Sequence, residues 1–281
     1  MAKIAGPNGG GAYHGDFRLS ITKALGDQLA LSLAQLGRAP LEKQYILELE
    51  ERPGVYQLYL RGEFVYVGKA DRSLRGRLLN HLRKLSGRQK VTLAEISFSC
   101  LYVDEDFSAL APEQLLISQH KEMGNIPWNS NGFGNKDPGR QRDRTILKKN
   151  HFDVLFPINL DRPVGGFDVG PMPLGEFLKD LKSALPYNFR YEEPPNSAIT
   201  QIDVPHTCLS ASEALRIVSA VLPDSWQITA LMGYVIMYQD APSEYKSAWR
   251  YYRGGEIIDV EPEAAPIDMK SDEGAFLMTD E

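Results

Sequence analysis

Residues 53–81, PGVYQLYLRGEFVYVGKADRSLRGRLLNH, constrain the fold more than any other stretch of the chain. Residues 54–60 and 64–68 are short runs rich in aromatic and β-branched residues. Arg61-Gly62-Glu63 separates them, which predicts a β-hairpin. From about Asp71 the pattern changes. Leu74, Leu78, Leu82 and Leu85 fall at i, i+4, i+8 and i+11, one apolar stripe of a helix. Arg77 and His81, four apart, share a different face. The loop length decides which side chains of the hairpin meet. A two-residue loop would pair Leu60 with Glu63, set Tyr56 opposite Val67, and point Tyr56 and Tyr66 to opposite faces. A three-residue loop pairs Leu60 with Phe64, sets Tyr56 opposite Gly68, and leaves the two tyrosines diagonal on one face. Gly62 at the centre favours the three-residue form, a type I turn with a glycine bulge. Two phenols beside a glycine then make a small polar platform that a phosphate can approach.

The segments around this core read as follows. Residues 1–15 are glycine-rich and expected to be disordered. Ser20 caps a predicted helix running to about Leu36, with Ile21, Leu25, Leu29, Leu33 and Leu36 as its buried stripe and Gly37 at its end. Residues 91–103 predict a third strand that completes a small mixed sheet. A further helix starts at Pro112 and stops at Gly124, carrying Glu113 on the same side as Leu116, Ile117 and His120. Read alone, Glu113 is a first-turn charge favoured by the helix dipole, though its place on the apolar side of the helix sets it apart from an idle solvated charge. Residues 124–163 are loop-like and hold the aromatic anchors Trp128 and Phe133, then Arg140, Arg142 and Arg144. A loop of this length is usually functional or disordered. Those arginines suit guanine edges and phosphates equally well.

From about 164 the texture changes. VGGFDVGPMP reads as a linker, residues 173–185 as a helix, and Ser210-x-x-Glu213 as a capping box opening a helix to about Leu222. WQITALMGYVIMYQ reads as one long strand. SAWRYYR and EIIDV read as a hairpin around Gly254-Gly255. Trp249, Tyr251 and Tyr252, interleaved with Arg250 and Arg253, either grip nucleic acid or form the inward face of a sheet. The domains expected are a disordered segment 1–15, a unit 16–163, a C-terminal α+β unit 164–260, and an acidic tail 261–281.

The net charge of −6 at first argues against a polyanionic partner, but its distribution reverses that reading. Residues 61–90 hold nine Lys/Arg against two acids, and residues 136–149 hold six against two. The segment 256–281 holds nine acids against Lys270 alone, more than the whole net charge. A basic zone therefore sits on an acidic protein, and affinity for nucleic acid follows local phosphate neutralisation. No run of eighteen apolar residues predicts a membrane span. The N-terminus lacks the apolar core of a signal peptide, so a cytoplasmic location is expected. Cys100 and Cys208 have no metal-ligand spacing and are expected to be buried thiols.

Gly54-Val55-Tyr56, then Tyr66-Val67-Gly68, then Arg77-x-x-x-His81, Glu113 on a helix and Pro127-Trp128-Asn129 occur in the order of the GIY-YIG nuclease superfamily, which this chain resembles. Gly132-Phe133-Gly134-Asn135-x-Asp137-Pro138-Gly139-x-x-Arg142 extends the likeness to the type II restriction endonucleases that read CCGCGG, a SacII-like specificity. The resemblance covers roughly residues 15–163. It implies an α+β fold, a small mixed β-sheet flanked by helices, here with an N-terminal helix and a C-terminal α+β extension. It also implies hydrolysis of double-stranded DNA by a homodimer, with one Mg2+ held by Glu113. By the same resemblance Tyr56 is the general base, Tyr66 orients water or phosphate, Arg77 stabilises charge, His81 accepts a proton, and Asn129 fixes the site. Lys69, Arg72, Arg75, Arg140, Arg142 and Arg144 are the expected DNA contacts. A repair or mobile-element nuclease, and a DNA-binding module without catalysis, are the other readings.

Overall fold

The structure is a computed structural model and describes residues 21–103, 126–134 and 139–266. The expected disordered N-terminus and the helix with Glu113 lie outside the described residues. Helix α1 (Ile21–Ala34) precedes strand β1 (Ala39–Pro40) and the short helix α2 (Lys43–Leu47). Strands β2 (Gly54–Leu60) and β3 (Glu63–Ala70) form the hairpin, followed by helix α3 (Leu74–Ser86) and strand β4 (Ile96–Tyr102). The sheet order is β1-β4-β2-β3. Every neighbouring pair in it is antiparallel, which corrects the expected mixed sheet. Strand β4 does run parallel to β3, but β2 lies between them, so no parallel ladder forms.

The hairpin corrects the expected loop and keeps the expected pairing. The loop is two residues long, with Leu60 opposite Glu63. Arg61 and Gly62 both have positive φ, 53° and 86°, as a type I′ turn requires. Arg61 tolerates this because its amide donates to the Glu95 carbonyl at 2.8 Å and its Nε to the Glu95 carboxylate at 2.8 Å. The extra residue sits further along, in the strand. Leu58 pairs with Tyr66 and Tyr59 with Phe64, so Val65 is bulged out. That bulge restores the parity that a two-residue loop alone would lose, and Tyr56 faces Gly68.

Helix α3 starts at Leu74 rather than Asp71, because Ser73 Oγ accepts from the Gly76 amide at 3.0 Å and fixes the N-cap there. Leu74, Leu78 and Leu85 are buried, as their stripe predicts. Strand β4 begins only at Ile96. Residues Leu93–Glu95 make a 3-10 turn with a capping box between Thr92 and Glu95. On the other face of the sheet, Leu33 packs with Val55, Val67 and Ile126.

After the short helix α4 (Pro127–Ser130), the segment 139–155 carries a 3-10 turn (Gly139–Arg144), strand β5 (Leu147–Lys148) and helix α5 (Phe152–Leu155). A second apolar core then begins at Ile158. Strand β6 (Pro163–Gly165) and strand β7 (Gly170–Pro173) occupy the stretch that reads as a linker. Helix α6 (Leu174–Ala184), strand β8 (Phe189–Tyr191), strands β9 (Gln201–Val204) and β10 (Cys208–Ser210), and helix α7 (Ala211–Ala220) follow. Ser210 Oγ accepts from the Glu213 amide at 3.0 Å and caps α7. The expected long strand is two strands, β11 (Gln227–Leu231) and β12 (Val235–Tyr238), turning at Met232-Gly233. All nine of their residues are buried, and an apolar run without alternation hides the turn. Strands β13 (Ala248–Arg253) and β14 (Glu256–Asp259) complete a sheet of order β14-β13-β11-β12-β8.

Tyr252 is buried in the second core with Trp249 packed partly against it, and Tyr251 is buried on the opposite face of the sheet, so both tyrosines are structural. Arg250 is tied to Asp259 at 2.5 Å. Cys208 is exposed at the start of β10, against the expectation of a buried thiol, whereas burial pushes the half-buried Cys100 thiol up to about 11. No helix among the described residues is long and apolar enough to cross a membrane.

The two cores are docked through the C-terminal end of α3. The Gln89 amide donates to Pro157 O and the Asn159 amide to Gly87 O, each at 2.8 Å. Arg88, 3% exposed, donates to Asp153 at 2.8 Å, to Phe156 O at 3.0 Å and to Gly233 O at 3.3 Å. Arg142 pairs with the other Asp153 oxygen. Asp143, also buried, takes Arg190 and the Tyr234 hydroxyl, the latter at 2.7 Å. Strand β15 (Ala264–Ala265) returns from the C-terminal side to pair with β5.

Candidate active site

Hairpin and helix α3 bring four of the predicted site residues together. Tyr56 and Tyr66 share one face of the sheet with ring centroids 6.0 Å apart. Their separation along β3 leaves a gap at Gly68, where a Cβ would collide with the Tyr56 hydroxyl. Gly134 plays the same part for Tyr66. Helix α3 lays Arg77 and His81 over this face. His81 Nε2 lies 2.6 Å from Tyr56 Oη, and Arg77 Nε donates to the same oxygen at 3.2 Å.

Burial sets the charges of this group. Desolvation is the main cause that drives the His81 imidazole down to about 3, with Arg77 and Lys84 adding to it. His81 is therefore neutral at ordinary pH and can take the phenol hydrogen at Nε2. Desolvation and the neighbouring Tyr66 raise Tyr56 well above the usual phenol range, and Arg77 opposes them. The resting state is a protonated phenol held against a neutral base.

A wall of aromatic rings stands behind the histidine. Phe133 stacks on His81 at 5.0 Å and meets Tyr66 edge-on at 4.9 Å, with Trp128 behind it at 4.8 Å. Trp128 and Phe133 are thus buried supports of the site. Asn129 fixes the edge strand. Its Oδ1 accepts from the Val67 amide at 2.9 Å and its Nδ2 donates to the Val67 carbonyl at 2.8 Å. The side-chain amide so completes the ladder that β3 lacks on its outer edge.

The predicted DNA contacts divide. Arg72 and Arg144 are exposed. Lys69 pairs with Asp71 at 2.8 Å, and Arg140 with Glu192 at 2.7 Å while lying over the Tyr238 ring. Arg75 turns to Leu49 O at 2.7 Å and Glu51 at 3.2 Å, and Arg142 turns inward to Asp153. Glu113 lies outside the described residues. Among the described residues no group of three or more His, Cys, Asp or Glu could hold a metal.

Lys84 escaped the reading of the sequence. Its ammonium donates to Phe133 O and lies 4.6 Å from the Phe133 ring centroid. Burial, chiefly, brings it down to about 7, with Arg88 adding and Asp153 opposing. Its position seven after Arg77 was the available signal. Asp153 had none, because its partners are distant in sequence, and Gly134 stood in the motif without its role beside Tyr66.

Residues 52–126 match the model of the UvrC-like GIY-YIG domain. Over 87 residues the chain is 32% identical to UvrABC system protein C of Thermosipho africanus (strain TCF52B). That alignment takes in 31% of this chain and only 16% of the relative. Tyr56, Tyr66, Arg77, His81 and Glu113 fall within the matched residues, and Asn129 and the arginine loop fall beyond them. Motif order, the antiparallel sheet with its flanking helix and this match agree, and the chain carries a GIY-YIG nuclease domain over residues 52–126.

Proposed function

We propose that the protein is a DNA endonuclease that hydrolyses phosphodiester bonds with one divalent metal ion, Mg2+, and acts as a homodimer on a duplex site. The observation that carries this is the Tyr56 hydroxyl set between His81 Nε2 at 2.6 Å and Arg77 Nε at 3.2 Å. A phenol is a poor base while it keeps its proton, and here a neutral imidazole stands ready to receive it. Tyr56 oxygen takes a proton from the attacking water as its own hydrogen passes to His81 Nε2. Arg77 faces the charge that builds up, and Tyr66 orients water or phosphate on the same face. Asn129 keeps β3, and with it Tyr66 and Gly68, in register.

GIY-YIG nucleases generally depend on a divalent metal. By the resemblance, the donor the motif offers is the single carboxylate of Glu113. One carboxylate with water and phosphate oxygens suits Mg2+, which keeps much of its hydration. Bound there, the ion would draw charge from the phosphate.

The target is the finer question. The segment from Pro127 to Arg142 supports a restriction enzyme cutting a GC-rich palindrome, with one active site per subunit serving each strand. The likeness to a UvrABC system protein favours a second reading, a repair nuclease. Digesting a mixed plasmid library with Mg2+ and sequencing the ends separates them. Ends sharing one palindrome support the first, and cutting only at damaged or branched sites supports the second. Tyr56→Phe and Glu113→Gln are expected to keep gel-shift binding while cleavage falls by about 10²–10³, the usual cost of one electrostatic catalytic group. A parent chain that binds duplex yet never cuts with Mg2+ or Mn2+ is a binding module.

A further inference from the structure

A groove of about 490 Å3 runs between α3 and α6, lined by Asn80, Arg83 and Lys84 on one side and by Lys179 and Lys182 on the other. Among the described residues no carboxylate lines it. Arg77, Asn80 and Lys84 lie at i, i+3 and i+7 of α3, so the groove continues the helix face that carries the Tyr56 contact. The cations do different work. Arg83 donates to the carbonyls of Ser183 at 3.0 Å and Leu185 at 2.7 Å. It thereby covers the negative end of α6, which would otherwise repel a phosphate. Lys84 is turned inward to Phe133 O and contributes its field rather than a contact. Lys179 and Lys182 are exposed, and the Lys182 ammonium lies 5.3 Å from the Tyr191 ring centroid.

The C-terminal unit is not loosely tethered here. Arg88, Arg162 and the backbone pairs at Gly87 and Gln89 lock it to the end of α3. Lys179 and Lys182 are therefore held at a fixed offset from Arg77.

We propose that this groove is a second phosphate-backbone contact, in which Lys179 and Lys182 of the C-terminal unit hold the DNA strand beyond the bond being cut. It rests on the reading of the protein as a DNA nuclease, and it gives the C-terminal unit a part in substrate binding.

The test compares the full chain with its Lys179→Glu/Lys182→Glu variant, and with Lys246→Glu, an exposed lysine of the same unit that does not line the groove. Duplex affinity is measured across a salt series without divalent metal, on one target with long flanks and on one trimmed close to the cut. On the long duplex each lost phosphate contact is expected to lower the salt slope by about 1, so the double variant loses about 2. The difference from the parent shrinks on the trimmed duplex, and Lys246→Glu leaves the slope near the parent value. Equal slopes for parent and double variant on the long duplex overturn the groove while leaving the nuclease reading intact. A similar loss in Lys246→Glu reduces the effect to overall charge and overturns it too. A parent that neither binds nor cuts duplex DNA overturns both readings.

Discussion

Two buried groups at the centre of the site, His81 and Tyr56, are both held uncharged. His81 is neutral because its surroundings are dry and already positive, and Tyr56 stays protonated because a phenolate would be dry as well. This has a consequence for stability against pH. An unfolded chain binds a proton at His81 below about 6.5. The folded chain does not until about 3. Between those values the unfolded state holds more protons, so stability falls as pH falls. From pH 6.5 to pH 5 the loss is on the order of 2 kcal/mol. His151, which burial also lowers, acts in the same direction and stays in the comparison. Denaturant midpoints for the parent and His81→Gln between pH 5 and 7 give the measurement, and the variant's profile should be flatter. Parallel profiles would show that His81 is hydrated in the folded chain.

At the scale of elements, the hairpin decides whether there is a site at all. The bulge at Val65 and the two-residue turn at Arg61-Gly62 together set Tyr56 opposite Gly68. Gly68→Ala is expected to leave the sheet folded and to lower cleavage by about 10²-fold, since its methyl would push the phenol from His81 and small misplacements are costly. A cleavage time course beside a thermal melt checks this, and parent-like cutting would mean that the phenol has room to spare. The relation between the tyrosines was legible in the sequence through period-two alternation, but the place of the extra residue was not. Whether a strand or its turn absorbs one residue depends on the hold Glu95 has on Arg61, a contact between separate elements. The same limit applies to β11 and β12, where burial of every residue erases the alternation that marks a turn. Tyr56, Tyr66, Arg77, His81 and Asn129 were legible by motif. Lys84 and the groove lysines were not, because their meaning comes only from the docking of α6 against α3.

At the scale of the molecule, Asp153 is the joint between the two cores. Among the described residues it is the only carboxylate lining a cavity of about 220 Å3 that also holds Lys84, Arg88 and Arg142. Burial works to raise its carboxyl, and Arg88, Arg142, His151 and Lys84 together hold it below the usual carboxylate range. Asp153→Leu leaves those cations facing one another, and removing one partner of a buried pair typically costs about 3–5 kcal/mol. Arg88→Met is expected to cost less, because Arg142 still answers the carboxylate. Calorimetric melts of both variants check the order, and the larger change should split a single transition in two as the cores part. Equal, small shifts would mean that the joint is held by apolar packing alone.

Strand β15 draws a different line through the same molecule. It is the partner of β5, in the loop that carries Arg140, Arg142 and Arg144, yet it lies beyond the whole second core. A ribosome delivers the hairpin and α3 early and Ala264-Ala265 late. During synthesis the catalytic sheet can close while its arginine loop still waits for a strand, so the order of translation separates assembly of the chemistry from assembly of the loop beside it.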